Sequence, residues 1–140
     1  LEAVNLHELS TTIIDEHRYL LKGKNVEVEL IGESCESHLL PRALCRITLS
    51  NLIRNAFEHT LSGIVCVKIS HLSVSITNTS SGLADDYQSI SERGVSHGQG
   101  FGIGLDIVKK IVTLQKWKLH LSAEHKNGSQ VIISFEAVEE

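Results

Sequence analysis

Two short segments of the chain hold residue types that could do chemistry. The first is LSNLIRNAFEHT, residues 49–60, in which Asn51 and Asn55 stand one helical turn apart on the same face as Arg54 and Glu58. Asparagine is a poor helix former, so two of them on one helical stripe need a reason. Carboxamide oxygens are neutral, hard ligands that suit a Mg²⁺ ion held mainly by substrate phosphates. The same pattern also fits an ordinary solvated helix face.

The second segment, GQGFGIGLDIV at residues 98–108, places four of the chain's ten glycines within seven positions and continues into a helical pattern. Backbone N–H groups at the start of a helix, with the helix dipole behind them, favour an anion. The glycine spacing of a dinucleotide-binding fingerprint is absent, and so is the Gly-Lys-Ser/Thr of a P-loop. The segment therefore predicts either backbone contact with a phosphate or a flexible hinge before a helix.

Composition limits the function classes. The chain has 140 residues, enough for one domain, and contains no apolar run near the roughly 20 residues that cross a membrane. A net charge of −4 argues against a nucleic-acid groove, which normally needs a basic face. The three cysteines and eight histidines show no zinc-ligand spacing, and the odd cysteine count suits a reducing compartment. We therefore expect a soluble globular unit that binds neither nucleic acid nor a structural metal.

The elements that position the two segments follow from periodicity and turn signals. The patterns predict helices over about residues 6–21, 41–59 and 102–114, a strand over 25–32, a strand pair within 64–78 that turns near residues 70–71, and a hairpin over 118–138. Residues 79–99 are polar and lack periodicity, which predicts a mobile loop. The sum is an α+β fold, a two-layer sandwich in which three helices cover one face of a single mixed, mostly antiparallel sheet.

In chain order, NLIRNAFEHT, a strand ending ITNTSSGL, the polar loop and GFGIGLDIVKKI resemble the ATP-binding catalytic domain of sensor histidine kinases. That domain is part of the ATPase superfamily that includes gyrase, Hsp90 and MutL. The resemblance covers essentially all 140 residues and implies a single domain with a mobile ATP lid at about residues 83–99. The implied cofactors are ATP and Mg²⁺, and the implied reaction transfers the γ-phosphoryl group to a histidine on a separate dimerisation domain of the same protein. A response regulator would act downstream, and upstream segments would attach this cytoplasmic domain to the inner membrane.

The resemblance also implies roles for the residues that match the family's motifs. Asn55 would ligate the Mg²⁺ that bridges the ATP phosphates, and Asn51 would assist one turn earlier. His59 would lie beside the nucleotide, and Arg93 in the lid would neutralise the γ-phosphate. Backbone groups of the second glycine box would contact the phosphates; these belong to Gly100, Gly102, Gly104 and Leu105.

Around the adenine base the chain departs from the family's usual pattern. Asn78 stands where the family usually has an aspartate that reads the adenine amino group. Gly82 closes that box, and Ser129 matches a hydroxyl residue that supports the reading group. An aspartate can only accept a hydrogen bond, whereas an asparagine can accept from adenine N6 or turn its NH₂ group toward guanine O6. Asn78 therefore predicts weaker discrimination of adenine over guanine.

Position 51 bears on the choice between transfer and hydrolysis. Hydrolysing members of the superfamily typically place a glutamate there as the general base for water, and a neutral carboxamide has no useful basicity near pH 7. Asn51 therefore favours transfer to an acceptor that is already nucleophilic. Two alternatives stay open: a non-catalytic nucleotide-sensing module, because the adenine box is altered, and a serine kinase of the anti-sigma-factor type.

Overall fold

Three α-helices form where the periodicity predicts them. They are α1 at Leu6–His17, α2 at Arg42–His59 and α3 at Phe101–Gln115. The first begins after Asn5, whose side-chain oxygen accepts a hydrogen bond from the backbone N–H of Glu8 at 3.0 Å. This helix is shorter than predicted, because the chain tightens into a 3-10 turn at Arg18–Leu21 and then reverses at Gly23, which has a φ of 83°.

These elements come from a computed structural model in which residues 1–32, 37–78, 101–122 and 129–136 are described. The predicted loop at 79–99, with the lid at about 83–99, lies outside the described residues, and so does the predicted hairpin turn at 127–128. Within the described ranges, no helix is both long enough and apolar enough to span a membrane.

Five strands form one mixed sheet, as predicted. They are β2 at Asn25–Ile31, β4 at Ser62–Ser70, β5 at Ser73–Asn78, β6 at Lys118–Ser122 and β7 at Gln130–Ser134. Their spatial order is β2-β4-β5-β7-β6, with β2 parallel to β4 and every other neighbouring pair antiparallel. The strands β4 and β5 are joined at His71 and Leu72, and His71 has a φ of 52°. The predicted tight turn therefore lies one residue further along the chain.

A second, two-stranded sheet was not predicted. It pairs β1 at Glu2–Val4 with β3 at His38–Leu40 in antiparallel register, so that Glu2 lies opposite Leu40. Each strand has only three residues, which is too short for an alternating apolar pattern to stand out in the sequence. Val4 and Leu40 are nevertheless buried and join the core.

The three helices pack on the five-stranded sheet, with α2 in contact with both α1 and α3. The predicted apolar face of α2 is buried: Leu49, Leu52, Ile53, Ala56 and Phe57. The predicted stripe of α3 is also buried at Leu105, Val108 and Ile111, while Val112 is half-buried against the same core. Each large aliphatic or aromatic side chain removed from water stabilises the fold by about 1.5–3 kcal/mol. The helix α2 thus contacts both other helices, and its polar stripe comprises Asn51, Arg54, Asn55 and Glu58.

Candidate functional site

The polar stripe of α2 is not a uniformly solvated face. Arg54 and Glu58 are partly exposed and pair with each other, with 3.5 Å between Nε and Oε2. Asn55, in contrast, is only 4% exposed. The interpretation of a wholly solvated stripe was therefore wrong at Asn55. Tertiary packing, rather than the helical period, decides which polar side chains of α2 are covered, and α2 contacts both α1 and α3.

Asn55 also carries an unsatisfied group. Its side-chain nitrogen Nδ2 is buried and has no hydrogen-bond partner among the described residues. Leaving a buried donor unpaired costs about 1–3 kcal/mol. A phosphate oxygen would accept from this amide, while the amide oxygen is of the type that ligates Mg²⁺. The donor set of Asn55 thus fits a metal-bound phosphate.

Asn51, one turn earlier, is oriented by its own helix. Its Nδ2 donates to the backbone carbonyl of Ile47 at 2.8 Å. That bond uses one of the two amide hydrogens, so Oδ1 and one N–H are left for a ligand. A carboxamide oxygen in this position can hold a metal ion or a water molecule, but it cannot take a proton from water at neutral pH.

The C-terminal end of α2 is held by a lysine that the sequence analysis missed. Lys24 Nζ donates to the backbone carbonyls of Phe57 and Glu58 at 2.9 and 3.1 Å. The last carbonyls of a helix have no intrahelical partner and carry partial negative charge, so an ammonium group stabilises them. Lys24 lies more than 30 positions earlier in the chain, and no local pattern announces the contact.

His59 is the last residue of α2 and is half-buried. Burial lowers the pKa of its imidazole below the ordinary value, Glu58 opposes this by favouring the charged form, and Lys24 lowers the pKa further. A lowered pKa keeps the ring neutral at physiological pH. His59 therefore adds no positive charge at the end of the polar stripe.

Asn78 lies in a buried hydrogen-bond network. It continues the inward-facing positions of β5 after Val74 and Ile76, so it is a polar side chain at a core position, 4% exposed. Its Oδ1 accepts from the backbone N–H of Ser129 at 2.8 Å and from the Ser129 hydroxyl at 3.3 Å. Its Nδ2 donates to the hydroxyl of Thr60 at 3.1 Å. The structure thus brings Asn78 and Ser129 together.

Thr60 is the second residue that the sequence analysis missed. It follows α2 as its C-terminal cap and is fully buried. Its contact with Asn78 ties the end of α2 to the end of β5. The polar stripe of α2 and the Asn78 network are consequently two parts of one region, joined through His59 and Thr60, which are neighbours in the chain.

The second glycine box begins α3. Gly102 and Gly104 lie in the first turn of this helix, where backbone N–H groups have no intrahelical acceptor. The side chain of Leu105 is buried in the core. The helix that the glycine box begins, α3, packs against α2, which carries Asn51 and Asn55. Three further residues implied by the resemblance lie outside the described residues: Gly82, Arg93 and Gly100.

Comparison with known proteins identifies relatives of this arrangement. The sensor histidine kinase CusS of Escherichia coli O6:H1 (strain CFT073) is 29% identical over 143 residues, which cover 93% of this chain and 30% of that protein. CusS of Escherichia coli strain K12 is 28% identical over 147 residues, covering 96% of this chain and 30% of that protein. The chain therefore spans about three-tenths of the length of these relatives.

Solved structures share the fold. Full-length ShkA in complex with AMPPNP superposes with a TM-score of 0.78 at 20% identity, covering 99% of this chain and 32% of that one. The cytoplasmic segment of histidine kinase QseC gives a TM-score of 0.71 at 14% identity, covering 98% and 78%. The sensor histidine kinase MprB from a mycobacterium gives 0.65 at 20% identity, covering 94% of each chain.

The family assignment comes from a match along the chain itself. Residues 41–139 match the family described as histidine kinase-, DNA gyrase B-, and HSP90-like ATPases. The matched range holds all of α2, the Asn78 network and α3, and it is more than half of the chain. This protein is therefore a member of the histidine kinase-, DNA gyrase B- and HSP90-like ATPase family, with an ATP-binding domain of the kind found in sensor histidine kinases.

Proposed function

We propose that this domain binds Mg-ATP and transfers its γ-phosphoryl group to a histidine on a dimerisation domain of the same protein, with a response regulator receiving the phosphoryl group in turn. The observation that carries the proposal is the buried amide nitrogen of Asn55, which has no hydrogen-bond partner among the described residues and lies on a helix that packs against α3. We place the domain in the cytoplasm, joined to a membrane sensor through other parts of the protein.

Four of the described site residues have roles at the metal and the phosphates in this proposal. Asn55 and Asn51 hold Mg²⁺ through their amide oxygens, and Asn55 Nδ2 donates to a phosphate oxygen. Backbone N–H groups of Gly102 and Gly104 contact the phosphates at the positive end of α3. When bound, Mg²⁺ neutralises charge on the phosphates, which is the main chemical assistance that phosphoryl transfer needs. The polar side chains of α2 would position the metal ion and the phosphates, and they supply no reactive group.

The same residues support transfer over hydrolysis. Activation of water requires a base near the metal site, and Asn51 cannot serve as one. Glu58 is the nearest carboxylate on the stripe, but it is paired with Arg54. A neutral histidine imidazole needs no base, because it is already a nucleophile, so positioning is sufficient. The proposed roles of Arg93, Gly82 and Gly100 follow from the family resemblance, with Arg93 acting on the γ-phosphate.

Binding can be tested directly on this chain. We expect titration calorimetry to detect ATP binding in the presence of Mg²⁺ and a large loss of affinity in EDTA. The variant Asn55→Ala should lose most of the Mg-dependent affinity, whereas Arg54→Ala, on the same helix and partly exposed, should retain it. Equal binding by the two variants would contradict the proposed site.

Transfer is tested by mixing the chain with the upstream segment of its own protein and ATP labelled at the γ-phosphate. We expect acid-labile label on a histidine of that segment. A second candidate, a non-catalytic nucleotide sensor, is favoured by the replacement of the usual aspartate by Asn78; it predicts binding without label transfer. Acid-stable label on a serine of a partner protein would instead identify a serine kinase.

A further inference from the structure

The hydrogen-bond network fixes which way the Asn78 amide faces. A backbone N–H can only donate, so the atom that faces the Ser129 N–H at 2.8 Å must be the side-chain oxygen. The nitrogen then faces the hydroxyl of Thr60, which accepts from it at 3.1 Å. Turning the amide over would set two N–H donors against each other. The orientation is thus determined by the protein before any ligand arrives.

The same bonds determine what Asn78 has left to offer. An amide oxygen has two lone pairs, and both have donors: the N–H and the hydroxyl of Ser129. An amide nitrogen has two hydrogens, and one of them is used by Thr60. The group that remains is a single N–H donor. A carboxylate at this position would differ, since it could accept from both Thr60 and Ser129 and still have a lone pair for a ligand.

We propose that this network makes the base site accept purine nucleotides with an oxygen at position 6, such as hypoxanthine and guanine nucleotides, at least as well as ATP. The inference rests on the proposed function, in that a purine base lies against Asn78. The oxygen of a 6-oxo purine can accept a hydrogen bond from the remaining N–H of Asn78. The amino group of adenine is itself a donor, so it cannot accept from that N–H. The hydroxyl of Ser129 is the specificity-determining group, because it occupies the lone pair that an amino group would need.

The first test compares ATP with ITP and GTP by competition against a fluorescent nucleotide in Mg²⁺. ITP has the 6-oxo group of guanine without its 2-amino group, so it isolates the effect of position 6. We expect ITP to bind the wild-type protein at least as tightly as ATP. The variant Asn78→Asp should shift the affinity ratio about tenfold toward ATP, the value of one hydrogen bond gained and one mismatch removed.

The second test replaces Ser129. Two possible roles of its hydroxyl predict opposite shifts in the ratio of ATP affinity to ITP affinity. If the hydroxyl only supports adenine binding, Ser129→Ala weakens ATP binding relative to ITP. If the hydroxyl occupies the lone pair, Ser129→Ala frees it and shifts the ratio toward ATP, because the backbone N–H that orients the amide is kept. Ser129→Thr retains a hydroxyl and should leave the ratio unchanged, with thermal melts confirming that all variants are folded.

The outcomes distinguish a failure of the inferred base preference from a failure of the proposed function. Binding of ATP with more than tenfold preference over ITP, unaltered in Asn78→Asp, overturns the inference and leaves the proposed function standing. A ratio that moves away from ATP in Ser129→Ala also overturns it. If the wild-type protein binds none of the three nucleotides, both the proposed function and this inference fail.

Discussion

The ammonium group of Lys24 donates to the backbone carbonyl of Phe57 at 2.9 Å. This bond joins the residue directly before β2 to the last turn of α2. A second bond from the same nitrogen reaches the carbonyl of Glu58 at 3.1 Å. Both acceptors lie in the last turn of α2, directly before His59 and Thr60. The contact therefore holds the C-terminal end of α2. This helix carries the candidate metal ligands Asn51 and Asn55, and its cap, Thr60, bonds to Asn78.

Removing this contact should destabilise the domain. In Lys24→Met the apolar stem is kept and the charge is lost, so two helix-end carbonyls lose their donor. We expect a loss of about 1–2 kcal/mol in the free energy of unfolding, typical of a partly buried, charged hydrogen bond at a helix C-terminus. Urea unfolding measures it. The matched control is Lys22→Met, an exposed lysine two positions earlier, which should change stability by less than about 0.5 kcal/mol.

Gly32 tests the close packing between β2 and β4. Its φ is 133°, and a Cβ atom there would lie 2.5 Å from the carbonyl oxygen of Ile69. Because that neighbour is strand backbone, Gly32→Ala should cost about 2 kcal/mol or more, from strain and displacement of the strand together. Gly23→Ala is the control, since Gly23 has a φ of 83° with nothing within 4 Å of the added carbon. It should show the strain alone, and equal losses in the two variants would contradict the packing argument.

The helices and the mixed sheet could be predicted because each buries an apolar stripe that shows in the sequence. The apolar face of α2 follows the period of 3.6 residues, and all five predicted positions are buried. Burial of Asn55 could not be predicted, because it depends on tertiary packing and not on the helical period of α2. The bonds of Asn78 to Thr60 and Ser129 span 18 and 51 positions, so only the folded sheet reveals them. One signal was available: Asn78 continues the alternation of Val74 and Ile76, and a polar residue at a core position indicates a functional site.

His59 should make stability depend on pH. Its pKa is lowered in the folded protein, mainly by burial, and lies near 6.5 in the unfolded chain. At pH values well above 6.5 the imidazole is neutral in both states and has no effect. As the pH falls below 6.5, the unfolded chain takes up a proton that the folded protein resists, so stability decreases. The decrease should be largely absent in His59→Gln.

The measurement is chemical unfolding at a series of pH values from 8 to 5. His120→Gln is the control, because His120 is exposed on β6. Its stability should follow the wild-type protein across the range. A wild-type curve whose slope between pH 6.5 and 5 is unchanged by His59→Gln would show that burial of this ring has no part in the pH dependence.

The buried polar side chains of Thr48 and Asn55 on α2 provide the sharpest contrast between stability and function. Thr48 is fully buried with an unpartnered hydroxyl, and Asn55 is buried with an unpartnered amide nitrogen, among the described residues. Replacing each by an apolar residue of similar shape removes an uncompensated polar group, so Thr48→Val and Asn55→Leu should be neutral or slightly stabilising without nucleotide.

Only Asn55 is proposed to meet a ligand. Thermal melts with and without Mg-ATP should therefore show the same ligand-induced rise in Tm for the wild type and Thr48→Val, and no rise for Asn55→Leu. An Asn55→Leu protein that is much less stable without nucleotide would mean that the amide has a structural partner, and its proposed role as a metal-phosphate ligand would lose its main support.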